Sequence, residues 1–127
     1  MRRLSMRRDF LYLTDIVAAA DAIERFIARG GHSRESFMDD ELVQSAVLQK
    51  LIVIGEATAR LSPEFRGKHR DIEWTDVIAF RNIAVHAYFS VDWAIVWVAA
   101  THDAPLLKQQ VAHFLADEFP DQIDKQK

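Results

Sequence analysis

The chain has 127 residues and a mass of 14.6 kDa, enough for one domain and too little for a catalytic domain with a separate cofactor domain. Half of the residues are hydrophobic and 28% are charged, which excludes a disordered or fibrous chain. A net charge of −3 excludes a protein that coats nucleic acid by bulk charge, although the four charges of Arg2, Arg3, Arg7 and Arg8 crowd the start and leave −7 on the rest.

With no cysteine, disulfides and Cys-based zinc sites are excluded. The longest apolar run, Trp93 to Ala100, falls short of the roughly 20 residues of a membrane span, and the Arg-rich start lacks an apolar signal core followed by a cleavage site. The expectation is a cytoplasmic, soluble protein with no membrane association.

In chain order, Leu13, Ile16, Val17, Ala20, Ile23 and Ile27 recur at helical spacing, which predicts a first helix over roughly 7 to 29, stopped by Gly30 and Gly31. A second helix is predicted from the acidic group Asp39-Asp40-Glu41 to about Leu61, before Ser62-Pro63. The acidic triplet reads as a helix start rather than as paired catalytic carboxylates, because consecutive helical residues point in different directions. This helix carries two adjacent apolar seams. One is Val47, Leu51, Ile54, Thr58 and Leu61; the other is Leu48, Ile52, Gly55 and Ala59, so burial on two sides is expected. Gly55 weakens a helix interior by about 1 kcal/mol, and the close approach of another backbone is the expected compensation.

Arg66-Gly67-Lys68-His69-Arg70 reads as a basic connector, either a solvated loop or a contact for nucleic acid or a partner. A third helix is predicted from about Ile72 to Val85. A fourth follows with Asp92 as its cap and Trp93, Val96, Trp97 and Ala100 on its apolar face. A fifth has Asp103 as its cap, Pro105 in its first turn and Leu106, Leu107, Val111, Phe114 and Leu115 before the polar tail. The economical architecture is all-α: one domain over 1–127, an up-and-down bundle of about five helices with its core over about 6–118 and a tail over 119–127.

No Gly-rich phosphate loop, GxSxG turn or closely spaced histidine pair is present, so no cofactor or metal site is expected. The third predicted helix is different. Trp74, Val77, Ile78 and Val85 define its apolar stripe, and at 100° per residue Arg81 falls within that stripe. Such an arginine snorkels, pairs with an acid such as Glu56 or Asp76, or lines a polar cleft. His86 lies about 140° away on an ideal helix. The two converge only if the chain turns back through Ala87-Tyr88-Phe89-Ser90, or if two copies bring their motifs together across a dimer axis. A histidine moves a proton near neutral pH and an arginine holds a phosphate. Together they suit RNA cleavage without a metal, with the 2'-hydroxyl as internal nucleophile. Asn82 is an orienting hydrogen-bonder and Tyr88 offers a phenol.

The string Phe80-Arg81-Asn82-Ile83-Ala84-Val85-His86-Ala87-Tyr88 resembles the signature of the HepT family, a branch of the HEPN superfamily of small helical proteins. Asp40-Glu41-Leu42, Ile54-Gly55-Glu56-Ala57 and Leu61 resemble the family's second helix, Tyr12 to Ile16 its first, and Trp74 stands at the expected distance before Arg81. The similarity covers about residues 6 to 118. Glu73 departs from it, standing where many relatives carry Pro.

The resemblance implies a metal-independent endoribonuclease toxin of a toxin-antitoxin system, acting on RNA, with tRNA as one candidate. It implies Arg81, Asn82 and His86 as the catalytic set and a homodimer whose two motifs line one cleft, which would also account for the second apolar seam. It implies that Tyr88 accepts AMP from a partner antitoxin, the minimal nucleotidyltransferase MntA. Two readings compete with it: a non-catalytic subunit that holds substrate for a nucleotidyltransferase, and a dimeric structural protein in which Arg81 is only ion-paired.

Overall fold

The computed structural model describes residues 2–31, 33–83 and 91–122, with side chains from residue 4 onward. Among these residues the fold is all-α, as the sequence predicts, with seven α-helices instead of about five. Helix α1 (Arg2–Arg29) begins earlier than the periodicity requires and ends at Gly31, whose φ of 98° only glycine adopts readily. Its seam of Leu13, Ile16, Ala20 and Ile23 is fully buried. A short α2 (Arg34–Met38), capped by Ser33, was not legible as a separate element; it carries Phe37 into the core against Trp93 and Trp97.

Helix α3 (Glu41–Arg60) starts at the acidic group, where the Asp40 side chain accepts from the Val43 amide. By length and composition α3 could cross a membrane. Its seam of Val47, Leu51, Ile54, Thr58 and Leu61 instead forms the middle of the core. The other seam is less covered, with Leu48, Ile52 and Ala59 half-buried and Gly55 buried. Helix α1 packs against α3 on one side and against α7 (Ala104–Glu118) on the other.

The predicted break between the fourth and fifth helices is corrected. Helices four and five form one run: α6 (Trp93–Val98) passes through a π-turn at Ala99–Asp103 into α7. Asp92 caps α6 through the Ala94 and Ile95 amides, but Asp103 has helical φ and ψ and makes no side-chain cap bond. Pro105 lacks an N–H and its ring crowds the preceding turn, and the wider π-turn accommodates it without ending the helix.

The connector is not a free loop. Arg66 to Lys68 form the last turn of α4 (Pro63–Lys68), and the Trp74 indole N–H donates to the carbonyls of Arg66 and His69 at 3.0 and 2.9 Å. The His69 ring stacks on Phe114 at 4.0 Å, and Glu118 on α7 accepts from Lys68 Nζ at 2.9 Å, while His69 Nε2 lies 2.7 Å from its other oxygen without the geometry of a hydrogen bond. Nearby, the buried Asp9 of α1 accepts from the Ser62 amide at 2.8 Å and from its hydroxyl at 2.7 Å. Ser62 Oγ in turn accepts from the Phe65 amide and caps α4.

Candidate active site

The segment predicted as one helix over 72–85 begins at Trp74 and changes pitch within its described residues. Helix α5 (Trp74–Ile78) gives way to a 3-10 turn at Ala79–Asn82, so Arg81 and Asn82 sit on the tighter geometry. Trp74 and Val77 are buried and hold α5 to the core, with the Trp74 indole bonded to the α4 corner.

The turn meets α3 at Gly55. A Cβ placed there would lie 2.6 Å from Arg81 N, 3.0 Å from Arg81 Cβ and 3.0 Å from the Ile78 carbonyl oxygen. The close backbone approach expected for Gly55 is therefore real, and its partner is the turn that carries Arg81. That pairing was not visible in the sequence, since the two residues stand 26 positions apart in unrelated patterns.

Arg81 is half-buried, as its place in the apolar stripe requires, and Asn82 is exposed. At three residues per turn their side chains leave the backbone about 120° apart. Neither of the acids considered as partners pairs with Arg81: no ion pair or hydrogen bond joins it to Glu56 or Asp76, and both acids are exposed. The purely structural role for the guanidinium thus loses its two sequence candidates. Ala79, Phe80 and Ile83 line a shallow apolar depression of about 490 Å³ with Ala94, Ile95, Val98, Ala99 and Asp103. Ile95 and Val98 are 59% and 52% exposed. His86 and Tyr88 lie outside the described residues, as does the remainder of the motif after Ile83.

Comparison with known proteins identifies the family of the chain. The model of the family described as HepT-like, Ribonuclease HepT-like, matches residues 16–114. The chain is 36% identical over 97 residues to a Thermococcus cleftensis protein named "Probable ribonuclease HepT", covering 76% of this chain and 86% of that one. It is 29% identical over 108 residues to "Putative RNase MJ1380" of Methanocaldococcus jannaschii, covering 85% of this chain and 97% of that one. A third relative, "Gamma-glutamylcyclotransferase and putative RNase MJ0434" of the same organism, is 30% identical over 123 residues, and the chain spans about half, 52%, of its length. No solved structure matches. The family match takes in α3, the Gly55 contact and the turn bearing Arg81, and the chain belongs to the HepT-like ribonuclease family.

Proposed function

We propose that this chain is a metal-independent endoribonuclease that acts as the toxin of a toxin-antitoxin pair. The observation that supports this most is Arg81 itself: an arginine half-buried on a turn pressed against α3, joined to neither Glu56 nor Asp76, in a chain of a ribonuclease family. An always-charged planar donor held there suits the nonbridging oxygens of a phosphodiester.

In the proposed reaction, His86 takes the proton from a ribose 2'-hydroxyl, whose oxygen attacks the adjacent phosphorus. The new O2'–P bond forms as the P–O5' bond breaks. The leaving oxygen takes a proton from an imidazolium, giving a 2',3'-cyclic phosphate and a 5'-hydroxyl. Arg81 stabilises the charge that builds on the phosphoryl oxygens, and Asn82 orients the substrate from the exposed side of the turn. The chain works as a homodimer in the cytoplasm. The exposed Ile95 and Val98 and the half-covered second seam of α3, Leu48 and Ile52, are apolar surface that a second copy would cover. Tyr88 is the AMP acceptor for an MntA-type nucleotidyltransferase, and an added phosphate and base beside Arg81 would exclude RNA by charge and bulk.

The test is cleavage of RNA by the pure protein in EDTA, with release of a 5'-hydroxyl end. The parent is expected to cut an all-ribose substrate and to leave an all-deoxy one intact. Undiminished cleavage by His86→Ala, or equal cutting of the deoxy substrate, would overturn the mechanism. A protein that never cuts RNA while its nucleotidyltransferase partner depends on it would establish the non-catalytic subunit instead.

A further inference from the structure

We infer that Gly55 is a positioning residue of the ribonuclease site, its missing side chain setting the place from which the Arg81 guanidinium reaches the phosphate. The inference rests on the endoribonuclease reading above and adds a residue that makes no contact with substrate.

The geometry leaves little freedom. A Cβ at residue 55 would stand 2.6 Å from the Arg81 nitrogen and 3.0 Å from both Arg81 Cβ and the Ile78 carbonyl oxygen. Two of these three atoms are backbone, and the third is fixed to it. No flexible side chain is available to swing aside, so any residue but glycine must move the turn or α3. Each is fastened elsewhere. Val77 is buried and the Trp74 indole donates to two carbonyls of the α4 corner, while α3 is locked by Val47, Leu51 and Ile54 at zero exposure. The strain falls on the short span between Val77 and Arg81, and the arginine moves with it.

Gly67 provides the contrast within the same chain: a Cβ there would meet nothing within 4 Å. A glycine weakens a helix interior, and at Gly55 that weakness coincides with the contact that seats the arginine. Displacing a catalytic charge by about 1 Å is enough to cost on the order of 10²-fold in rate.

The experiment is a double-mutant cycle on RNA cleavage with Gly55→Ala, Arg81→Ala and the pair, and Gly67→Ala as the glycine control. Gly55→Ala is expected to lower kcat roughly 10- to 100-fold while KM stays within about threefold, because the lost interaction belongs to the transition state. On the Arg81→Ala background it should cost nothing further, since both changes act through one guanidinium. Parent-level kcat in Gly55→Ala, or a loss just as large without Arg81, overturns the inference. If the parent itself does not cut RNA, the ribonuclease reading fails, whereas parent-level cleavage by Arg81→Ala leaves that activity standing and overturns the inference, so the two failures are distinguishable. Should Gly55→Ala not fold, the parent protein decides by NMR. A strong contact between a Gly55 α-proton and the Arg81 amide proton must persist when a deoxy-substituted RNA analogue binds, and its loss on binding overturns the inference.

Discussion

The corner where α4 meets α1 and α7 and the turn that carries Arg81 are both polar places at the edge of an apolar core, and they are held by opposite means. At the corner, Asp9, Lys68 and Glu118 find partners within the chain, although Arg66 Nε is buried without a hydrogen bond. Asp9 takes two hydrogen bonds from Ser62, and Glu118 accepts from Lys68 Nζ with His69 Nε2 lying 2.7 Å from its other oxygen. At the turn, the fastening is backbone against a glycine, and Arg81 is left free of the acids nearest to it in the sequence pattern. Removing one partner of a buried, satisfied charge destabilises the fold, whereas a half-buried arginine held in place without the expected acid is available to a ligand's charge. The corner is therefore expected to govern stability and the turn to govern activity.

The sharpest way to break that division is at the turn. Arg81→Ala should lower kcat/KM on RNA by about 10²–10³-fold, the range for removing one transition-state charge stabiliser. His86→Ala should cost about 10²–10⁴-fold. Both variants should unfold in urea close to the parent midpoint. A midpoint shift as large as the activity loss would mean that Arg81 is structural after all, and the contrast with the corner would disappear.

The complementary change is Asp9→Ala. It deletes the acceptor for the Ser62 amide and hydroxyl in a buried site, and losing charge-assisted bonds while stranding an N–H costs about 2–4 kcal/mol. Urea unfolding should show that loss with an unchanged m-value. Cleavage measured well below the unfolding midpoint should keep the parent kcat. A stable Asp9→Ala protein with impaired catalysis would place the corner in the site.

Much of the scaffold was legible because burial repeats at the helical period. The seams of α1 and α3, the acidic start of α3, the Asp92 cap and the Gly31 stop all follow from residue type and spacing. Where the pattern is short or the chemistry ambiguous, it misleads. Five residues of α2 are too few to show a period, and Pro105 looks like a helix start because the π-turn that lets the helix pass is a response to tertiary packing. The connector reads as a solvated loop or a contact for a partner, since nothing local announces that His69 will stack on Phe114. At the candidate site, the inward aim of Arg81 and the demand of Gly55 for a close neighbour are each visible alone. That the two meet is a property of how α3 crosses the turn.

Gly67→Ala sharpens the comparison from the permissive side. Position 67 lies in α4 with open space around its Cα, so alanine there should raise stability by about 0.5–1 kcal/mol through helix propensity and a less disordered unfolded chain. A melting temperature above that of the parent, with unchanged cleavage, is expected. A destabilised Gly67→Ala protein would show that the α4 corner is as tightly constrained as the turn.

The smallest effect is expected where charges pair at the surface between α1 and α7. Lys108 Nζ lies 3.3 Å from Asp21 and 3.4 Å from Glu24, and Arg25 Nε lies 3.1 Å from Asp21. Hydrogen bonds from Arg25 first and then Lys108 hold the Asp21 carboxyl below its ordinary pKa. For Lys108, partial burial disfavours the charged form, but the hydrogen bonds to Asp21 and Glu24 outweigh it and the net shift is upward. The depressed carboxyl stabilises the fold above the unfolded aspartate pKa of about 4, and that contribution is lost as pH falls through the folded value. The raised ammonium contributes fully below the unfolded lysine pKa of about 10.4 and loses its share as pH rises through the folded value. Lys108→Ala should therefore differ from the parent in melting temperature between about pH 5 and 9, and the gap should close at both extremes and in high salt. A gap that persists below pH 3 would mean that Lys108 acts through its packed methylenes rather than its charge, which would extend the tightly packed part of the molecule to a face where the ion pairs suggest a looser one.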